Sequence, residues 1–502
     1  MNPVVFKKGS GTVVRSTLRA VPATVPGPFL KTIPDLRGDQ GALVVYRRTP
    51  DAKVIRDRSK EELLGKYDAI FEPSYLALRS FVRVGGPESD LHLLNPMEFH
   101  ANTTELVQML EKGHHNVHLD DEAWDRLITW IDLNAPCHGS WSEFTPIQDS
   151  TVGPQRQRRL ALRKLYGGIV DDGEDVVLVE AEPIEPIVPE PVPKVKAEPV
   201  EIPNWPFGAP DARRRQAAAG PVSQTIDLGG NVTLRLAKVP ACSFVMGEPQ
   251  GEKDERPPAA VTIAEPFWMS AFEITNAQFQ QFDPSHDSRF EHRTSWIFSE
   301  EYLGWPVDRP QQPVVRVSWN EAMAFCRWLS KKLGAEVTLP TEGQWEYACR
   351  AGTVTPLFYG DLDADFSRFA NVADATIKRL AYEGWRPKPP DLVPRDARFD
   401  DAALVTVEVG SYRPNPWSLY DMHGNAAEWT RSTYEPYPYR EDDGRNEVAN
   451  DGEKVVRGGS WYDRPKRCRS AFRLSYPEYQ RVYNVGFRVV VHSAKPHESG
   501  TR

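Results

Sequence analysis

The stretch LPTEGQWEYACRAG, Leu339–Gly352, carries a helix with both ends written into it. Thr341 stands three residues before Gln344. In that spacing a threonine hydroxyl accepts the amide of the third helical residue, and the glutamine reaches back to the threonine amide. Gly352 supplies the stop. The same box recurs twice upstream. Ser318 with Glu321 opens NEAMAFCRWLSKKLG (Asn320–Gly334), where Ala322, Phe325, Cys326, Leu329 and Leu333 share a face and Gly334 ends the helix. Thr275 with Gln278 opens NAQFQQF (Asn276–Phe282). Between and beyond these helices lie short β-rich pieces: VTLRLAKVPA (Val232–Ala241), QPVVRVSW (Gln312–Trp319), KVVRGGSW (Lys454–Trp461) and VGFRVVV (Val485–Val491). Few helices, many short strands, long irregular loops and no internal repeat predict an α+β domain over about 226–491.

Upstream the character changes. VLVEAEPIEPIVPEPVPKVKAEPVEIP (Val177–Pro203) alternates proline with Glu, Val and Ile. Proline fixes φ and cannot donate to a ladder, so the segment reads as a semi-rigid polyproline-II spacer. RRRQAAAG (Arg213–Gly220) predicts a short helix approaching the C-terminal domain, and 149–225 is taken together as linker and approach helix. Residues 41–148 read as a small mixed, mainly helical domain. GALVVYRR (Gly41–Arg48) is a strand, PSYLALRSFVRVG (Pro73–Gly85) has apolar residues at helical spacing, and NTTELVQMLEKG (Asn102–Gly113) is a helix stopped by glycine. DDEAWDRLITWIDLNAP (Asp120–Pro136) is another, with acidic residues at its start and a stripe of Trp124, Leu127, Ile128 and Ile131. Residues 1–40 are expected to be extended and 492–502 a disordered tail.

The chain has 502 residues, 44 prolines and a net charge of −9. Nothing in that balance calls for a nucleic-acid partner, whose phosphates ask for basic surface. The 5 cysteines, Cys137, Cys242, Cys326, Cys349 and Cys468, are widely spaced with no CxxC, so they read mostly as small buried hydrophobes. No apolar run is long enough for a transmembrane helix. The first residues lack the apolar stretch of a signal peptide, which leaves the compartment open, export included if the true start lies upstream.

Read in order, VPACSFVMG (Val239–Gly247), FEITNAQF (Phe272–Phe279), PVVRVSWNEAMAFCRWL (Pro313–Leu329), LPTEGQWEYACRAG, SLYDMHGNAAEWT (Ser418–Thr430), VVRGGSW (Val455–Trp461), RSAFR (Arg469–Arg473) and NVGFRVV (Asn484–Val490) resemble the ordered signature of the sulfatase-modifying-factor, or formylglycine-generating-enzyme, family. The resemblance implies a single irregular α+β domain related to C-type lectin-like modules. Activating members of that family oxidise a substrate cysteine with copper(I) held by two thiolates, a soft metal matched to sulfur. Here the first thiolate position falls on Asp463, and the shortened loop RGGSWYDRPKRCRSAFR leaves Cys468 without a clean match to the second. Copper is therefore not expected. Ser460 matches the family's active-site serine, so Ser460, Asp463 and Cys468 are the candidate catalytic positions. Arg464, Lys466, Arg467 and Arg469 make the loop basic and suggest an anionic ligand.

The resemblance also implies structural calcium, which seeks carboxylates mixed with backbone carbonyls. One site would use Asp421, the carbonyls of Gly424 and Ala426, and Glu428. The other would use Asn371, the Val372 carbonyl, Asp401 and the Ala403 carbonyl, its halves separated by an Arg- and Pro-rich insertion. Two further likenesses are weaker. HHNVHLD offers His114, His118 and Asp120 at a spacing like that of iron-dependent sulfoxide synthases of the same superfamily, but it reads as a loop. Residues 41–148 are similar to a segment of proteins like the hydrazine synthase alpha subunit, yet CxxCH is absent and covalent heme is excluded for the sequence as it stands. The reading that follows is a calcium-stabilised binding or structural module, a possible pseudoenzyme recognising a peptide, glycan or protein. The alternative is an oxygen- or metal-dependent oxidoreductase with altered ligands.

Overall fold

The computed structural model describes residues 43–46, 52–55, 69–71, 73–83, 98–114, 117–136, 149–170, 200–292, 304–377 and 393–492. The expected extended start, Cys137, most of the proline-rich spacer and the tail beyond 492 lie outside them.

The boxed helices form as their ends dictate. Helix α7 (Trp319–Leu333) starts at Ser318, whose hydroxyl accepts the Glu321 amide while Glu321 returns to the Ser318 amide, and it ends on left-handed Gly334, φ 63°. Its Ala322, Phe325, Cys326 and Leu329 are buried. Phe325 stacks on Phe279 at 5.6 Å and meets Phe487 edge-on at 5.5 Å. Helix α8 (Glu342–Arg350) carries the Thr341/Gln344 box and turns left-handed at Ala351, one residue before the glycine expected to stop it. Gly352 serves a different need, since a Cβ there would lie 2.3 Å from the Phe207 ring. The third box opens the one-turn helix α6 (Asn276–Phe279).

Around these helices run short strands. β4 (Ser223–Gly229), β5 (Val232–Val239), β8 (Phe267–Ser270), β11 (Glu336–Thr338) and β16 (Val490–His492) build a sheet in the order β11-β16-β8-β5-β4. β12 (Ala427–Thr433), β13 (Lys454–Arg457), β14 (Leu474–Tyr476) and β15 (Val485–Phe487) build a second, β14-β13-β12-β15, with β12 and β15 parallel. β6 (Cys242–Met246) and β7 (Ala259–Ile263) pair separately, as do β9 (Phe290–His292) and β10 (Gly304–Pro306). Pro313–Ser318, read as β-rich, joins no ladder beyond an isolated bridge at Pro313. Arg316 adopts φ 57°, which breaks the extended run and turns its guanidinium inward.

A strap ahead of the domain packs into its core. Trp205 and Phe207, preceding α5 (Ala209–Ala218), are buried against Phe244, Tyr347 and Trp417, with the Trp205–Phe207 rings 5.4 Å apart. Deleting a buried aromatic costs about 3–5 kcal/mol. Phe207→Ala should therefore lower the urea midpoint substantially, and a loss below about 1 kcal/mol would mean that this strap is not part of the folded unit.

The N-terminal unit has its own small core of Val82, Ala101, Leu106, Val107, Leu127, Ile131 and Ala135. It is built by α1 (Pro73–Arg79), α2 (Glu105–Glu111) and α3 (Asp121–Asp132); strands β1 (Leu43–Tyr46), β2 (Ala52–Ile55) and β3 (Ala69–Phe71), which precede them, pair as the sheet β2-β1-β3. Asp120 caps α3 by accepting the Ala123 amide at 2.8 Å. Leu127 and Ile131 of the expected stripe are buried, whereas Ile128 is exposed. Asp149–Gly167, within the stretch read as linker, is a helix, α4. Between the N-terminal unit and the C-terminal domain run ionic and polar contacts. Glu98 receives the Arg316 guanidinium at 2.6 and 3.0 Å, Arg83 meets Glu291 at 2.7 Å and lies 3.5 Å over the Tyr483 ring, and Lys112 meets Asp254 at 2.7 Å.

Candidate functional site

The Arg457–Ser460 turn places Ser460 after two left-handed glycines, Gly458 (φ 90°) and Gly459 (φ 65°). Gly459 leaves no space for a side chain, because a Cβ there would come within 2.5 Å of the Cys468 sulfur. Ser460 is fully buried. Its hydroxyl donates to Asp463 Oδ2 at 2.8 Å and accepts from Asn484 Nδ2 at 2.7 Å. Asp463 Oδ1 accepts from Arg467 Nε at 2.8 Å. The aspartate at the first thiolate position is thus locked between a serine and an arginine.

Cys468 goes elsewhere. Its thiol is fully buried in a cluster with Phe366, Ala370 and Val372, and reaches the Asp463 carbonyl at 3.8 Å. Burial, then the nearby Asp463 charge, pushes the thiol far above its ordinary range. A thiol of that kind is inert, because thiolate is the reactive and metal-binding form. Cys349 is likewise buried and raised to about 12 by desolvation. It lies 3.6 Å from His423 Nε2, but that imidazole is already spent: Nε2 accepts the Phe358 amide at 3.0 Å, Nδ1 faces the Cys468 carbonyl at 2.6 Å, and burial lowers its pKa to about 4. A neutral histidine with both nitrogens engaged does not activate a thiol. Cys242, Cys326, Cys349 and Cys468 are all free thiols.

The residues of the two calcium expectations come together in neighbouring loops. Asp421 (φ 56°) is buried, and its Oδ2 accepts the Gly410 amide at 2.7 Å while Oδ1 has no partner. Glu273 points at the same place. Its Oε1 accepts from Asn425 Nδ2 at 3.0 Å, and its Oε2 is buried without a partner. Burial raises Asp421 to about 6 and lifts Glu273 well above its ordinary value, where Asp421 and Glu428 add repulsion. Glu428 is more heavily engaged, accepting from Arg488 at both oxygens, 2.6 Å each, and from Trp345 Nε1 at 2.6 Å. Both orphaned oxygens belong to carboxyls that hydrogen-bond each other once one carries a proton, so a shared proton or a hard cation would satisfy the pair.

At the second site Asp401 binds the chain rather than presenting free oxygens. Oδ2 accepts the Val372 amide at 2.8 Å and Oδ1 the Ala403 amide at 2.9 Å. Burial, with Asp374 beside it, raises Asp401 to about 7. Asn371 donates to the Val405 carbonyl and to Asn425 Oδ1, which ties this loop to the first. No group of three or more His, Cys, Asp or Glu side chains with metal-holding geometry occurs among the described residues. His114 and His118 do not converge with Asp120, whose carboxylate is occupied as the cap of α3.

Sequence reasoning missed Glu273, although the signal was present: a glutamate inside the apolar run of FEITNAQF is a charge that burial admits only with a partner or an ion. It also missed Asn484, and the covering of the loop cations. Arg464 is paired with Glu105, and Arg469 with Glu255 at 2.6 and 2.7 Å.

Comparison with known proteins settles the class. The sulfatase-modifying factor enzyme 1-like domain matches residues 230–493, more than half of the chain, and the chain belongs to that family. The formylglycine-generating enzyme of Bos taurus is 28% identical over 329 residues, covering 56% of this chain and 82% of that protein. The inactive C-alpha-formylglycine-generating enzyme 2 of Bos taurus is 27% identical, covering 54% and 92%. Among solved structures, PvdO from Pseudomonas aeruginosa is 26% identical, covers 54% of this chain and 98% of its own, and superimposes with a TM-score of 0.42. No helix among the described residues is long and apolar enough to cross a membrane.

Proposed function

We propose that the C-terminal domain is a calcium-stabilised binding module, a pseudoenzyme that keeps the family fold without formylglycine chemistry. The observation that carries this reading is the divergence of Asp463 and Cys468: the carboxylate is held by Ser460 and Arg467, and the thiol is sunk in apolar surroundings. Two soft ligands facing one point are what copper(I) asks of a protein. Relatives named as enzymes and as inactive match the chain at nearly the same identity, so the loop chemistry decides and overall similarity does not. The binding role rests on the family's irregular loops, which suit recognition of a protein, peptide or glycan on a rigid scaffold.

Calcium would be held by Asp421, the carbonyls of Gly424 and Ala426, and Glu428, with Glu273 adding a carboxylate that the motif alone did not reveal. Asn371, Val372, Asp401 and Ala403 are the residues for a second ion. When bound, the ion supplies charge neutralisation and ties the loops together. A ligand held by the folded state alone at about 100 times its dissociation constant stabilises by about 2.7 kcal/mol.

The test is metal content by mass spectrometry before and after chelation, with a thermal melt on each sample. Calcium alone, with a melting temperature that falls on chelation, is expected. Asp421→Ala should lower the calcium content and shrink that fall. Stoichiometric copper or iron would overturn the reading, and protein that melts identically with and without chelator would remove the calcium role.

A further inference from the structure

In the basic loop after the RGGS turn Arg467 and Arg469 are buried and Arg464 is half-buried, while Lys466 is exposed. Arg464 is paired with Glu105, Lys466 lies 3.7 Å and Arg467 4.0 Å from the same carboxylate, and Arg467 also meets Gln108. Burial alone would raise Glu105, but Arg467 and Arg464 outweigh it and hold the carboxyl below its ordinary value. Glu105 thus fills the place of the anionic ligand that the loop's charge called for. Beneath it lies a cavity of about 20 Å³, lined among others by Arg83, Gln108, Asp463, Tyr483 and Asn484. That volume admits about one water. Asn484 Oδ1 is buried without a partner, while its Nδ2 donates to Ser460.

The covering unit has a core of its own. Its apolar core is distinct from those of the C-terminal domain, and the contacts between them are mostly ionic or polar. Besides the Glu105 cluster they comprise Glu98–Arg316, Arg83–Glu291 and Lys112–Asp254, with Asn102–Gln480 bonded reciprocally at 2.9 Å and Gln108 bonded to the Tyr476 hydroxyl at 2.9 Å. Interfaces of that composition resemble transient ones. In sequence the two units are joined by residues 137–199, which include α4.

We propose that Arg464, Lys466 and Arg467 form a carboxylate-binding site whose resident occupant is the chain's own Glu105, so that the unit built by α1, α2 and α3 is a lid, and that an acidic peptide segment of a partner takes the site when the lid swings away. The inference deepens the binding-module reading by naming its ligand class.

The test uses the full chain and a fluorescent hexaglutamate peptide followed by anisotropy. Glu105→Gln should bind the peptide about tenfold more tightly than the unaltered chain, a difference of about 1.4 kcal/mol. Adding Arg464→Ala should abolish the gain. Equal affinity in Glu105→Gln and the unaltered chain overturns the proposal, as does a gain that survives Arg464→Ala. Because a variant can fail to fold, hydrogen exchange on the unaltered chain gives a second reading. Amides 98–112 and 462–484 should exchange together and faster than those of α7, since a lid opens at less than the cost of global unfolding. Protection of 98–112 equal to that of α7 overturns the lid. Calcium content measured on every sample separates the two ideas: lost calcium with the peptide response intact strikes only the calcium reading.

Discussion

Arg457→Ala should cost about 3–5 kcal/mol, the typical penalty for stripping one partner from a buried ion pair. Arg457 is fully buried. It pairs with Glu346, lies 3.8 Å from Glu342, and donates to the carbonyls of Ala471 and Phe472 at 2.7 and 2.9 Å. Glu346 also receives Arg350 at 2.9 Å and the Gly247 amide at 2.8 Å, and Glu342 receives Arg473 at 2.5 Å. Two carboxylates and three guanidiniums therefore share one dry region, with both oxygens of Glu346 engaged. Removing Arg457 leaves Glu346 short of charge and two carbonyls without donors. Arg457→Lys should recover part of the loss, since a point charge cannot reproduce the planar fork. Chemical denaturation of the three proteins checks the order: unaltered, Lys, Ala.

The same network sets a direction with pH. Burial pushes Glu346 upward, but Arg350 and Arg457 more than compensate, and its folded pKa lies below the ordinary value of 4.5. A depressed carboxyl stabilises above its unfolded pKa, and that contribution is lost as pH falls through the folded value. The acid limb of the stability profile should therefore be shallower in Arg457→Ala than in the unaltered chain. Coincident limbs would show that Glu346 is not held by these arginines.

Gly424→Ala should be at least as severe, with a loss of about 4 kcal/mol or more. Gly424 has φ 84°, and a Cβ would stand 2.0 Å from the Asn371 carbonyl oxygen, which itself accepts the Asn425 amide at 2.8 Å. The backbone strain alone is about 1–3 kcal/mol for a side chain at such an angle. The remainder comes from forcing apart two loops joined by that hydrogen bond, by Asn371–Asn425, and by the Gly424 amide to the Gly458 carbonyl at 3.0 Å. Little folded protein at 37 °C is the expected outcome. A Gly424→Ala protein that melts within a few degrees of the unaltered one would mean the loops part easily, and the proposed ion would lose its frame.

Much of the C-terminal domain was legible in the sequence because its helix ends are local. Thr275, Ser318 and Thr341 each form the reciprocal box that their spacing announced. The strands were legible where alternation runs unbroken, as in Val232–Val239, and illegible where one residue turns left-handed, as at Arg316. The candidate site divides the same way. Ser460 and Asp463 are three residues apart and meet, whereas Cys468 is only five further on and belongs to a different cluster, because a short turn at Pro465–Arg467 rotates it away. Long-range partners left no local trace: Glu105 and Arg464 are 359 positions apart, and Glu273 and Asn425 are 152. The strap at Trp205 and Phe207 was hidden for a related reason, since a proline-rich flank reads as spacer whatever its aromatics do.

Three of the thiols sit in three different packed regions: Cys326 on the buried face of α7, Cys349 among the aromatics around Trp345 and Trp417, and Cys468 beside Phe366 and Val372. None reaches solvent in the folded chain. A thiol-labelling reagent added to native protein can therefore modify each only as fast as its own surroundings open. The molecule carries three natural clocks. If all three run at one rate, the domain opens as a single cooperative body. If Cys468 runs ahead, the region around the Ser460–Cys468 loop breathes on its own, and the speed at which a ligand could enter there is set by that clock.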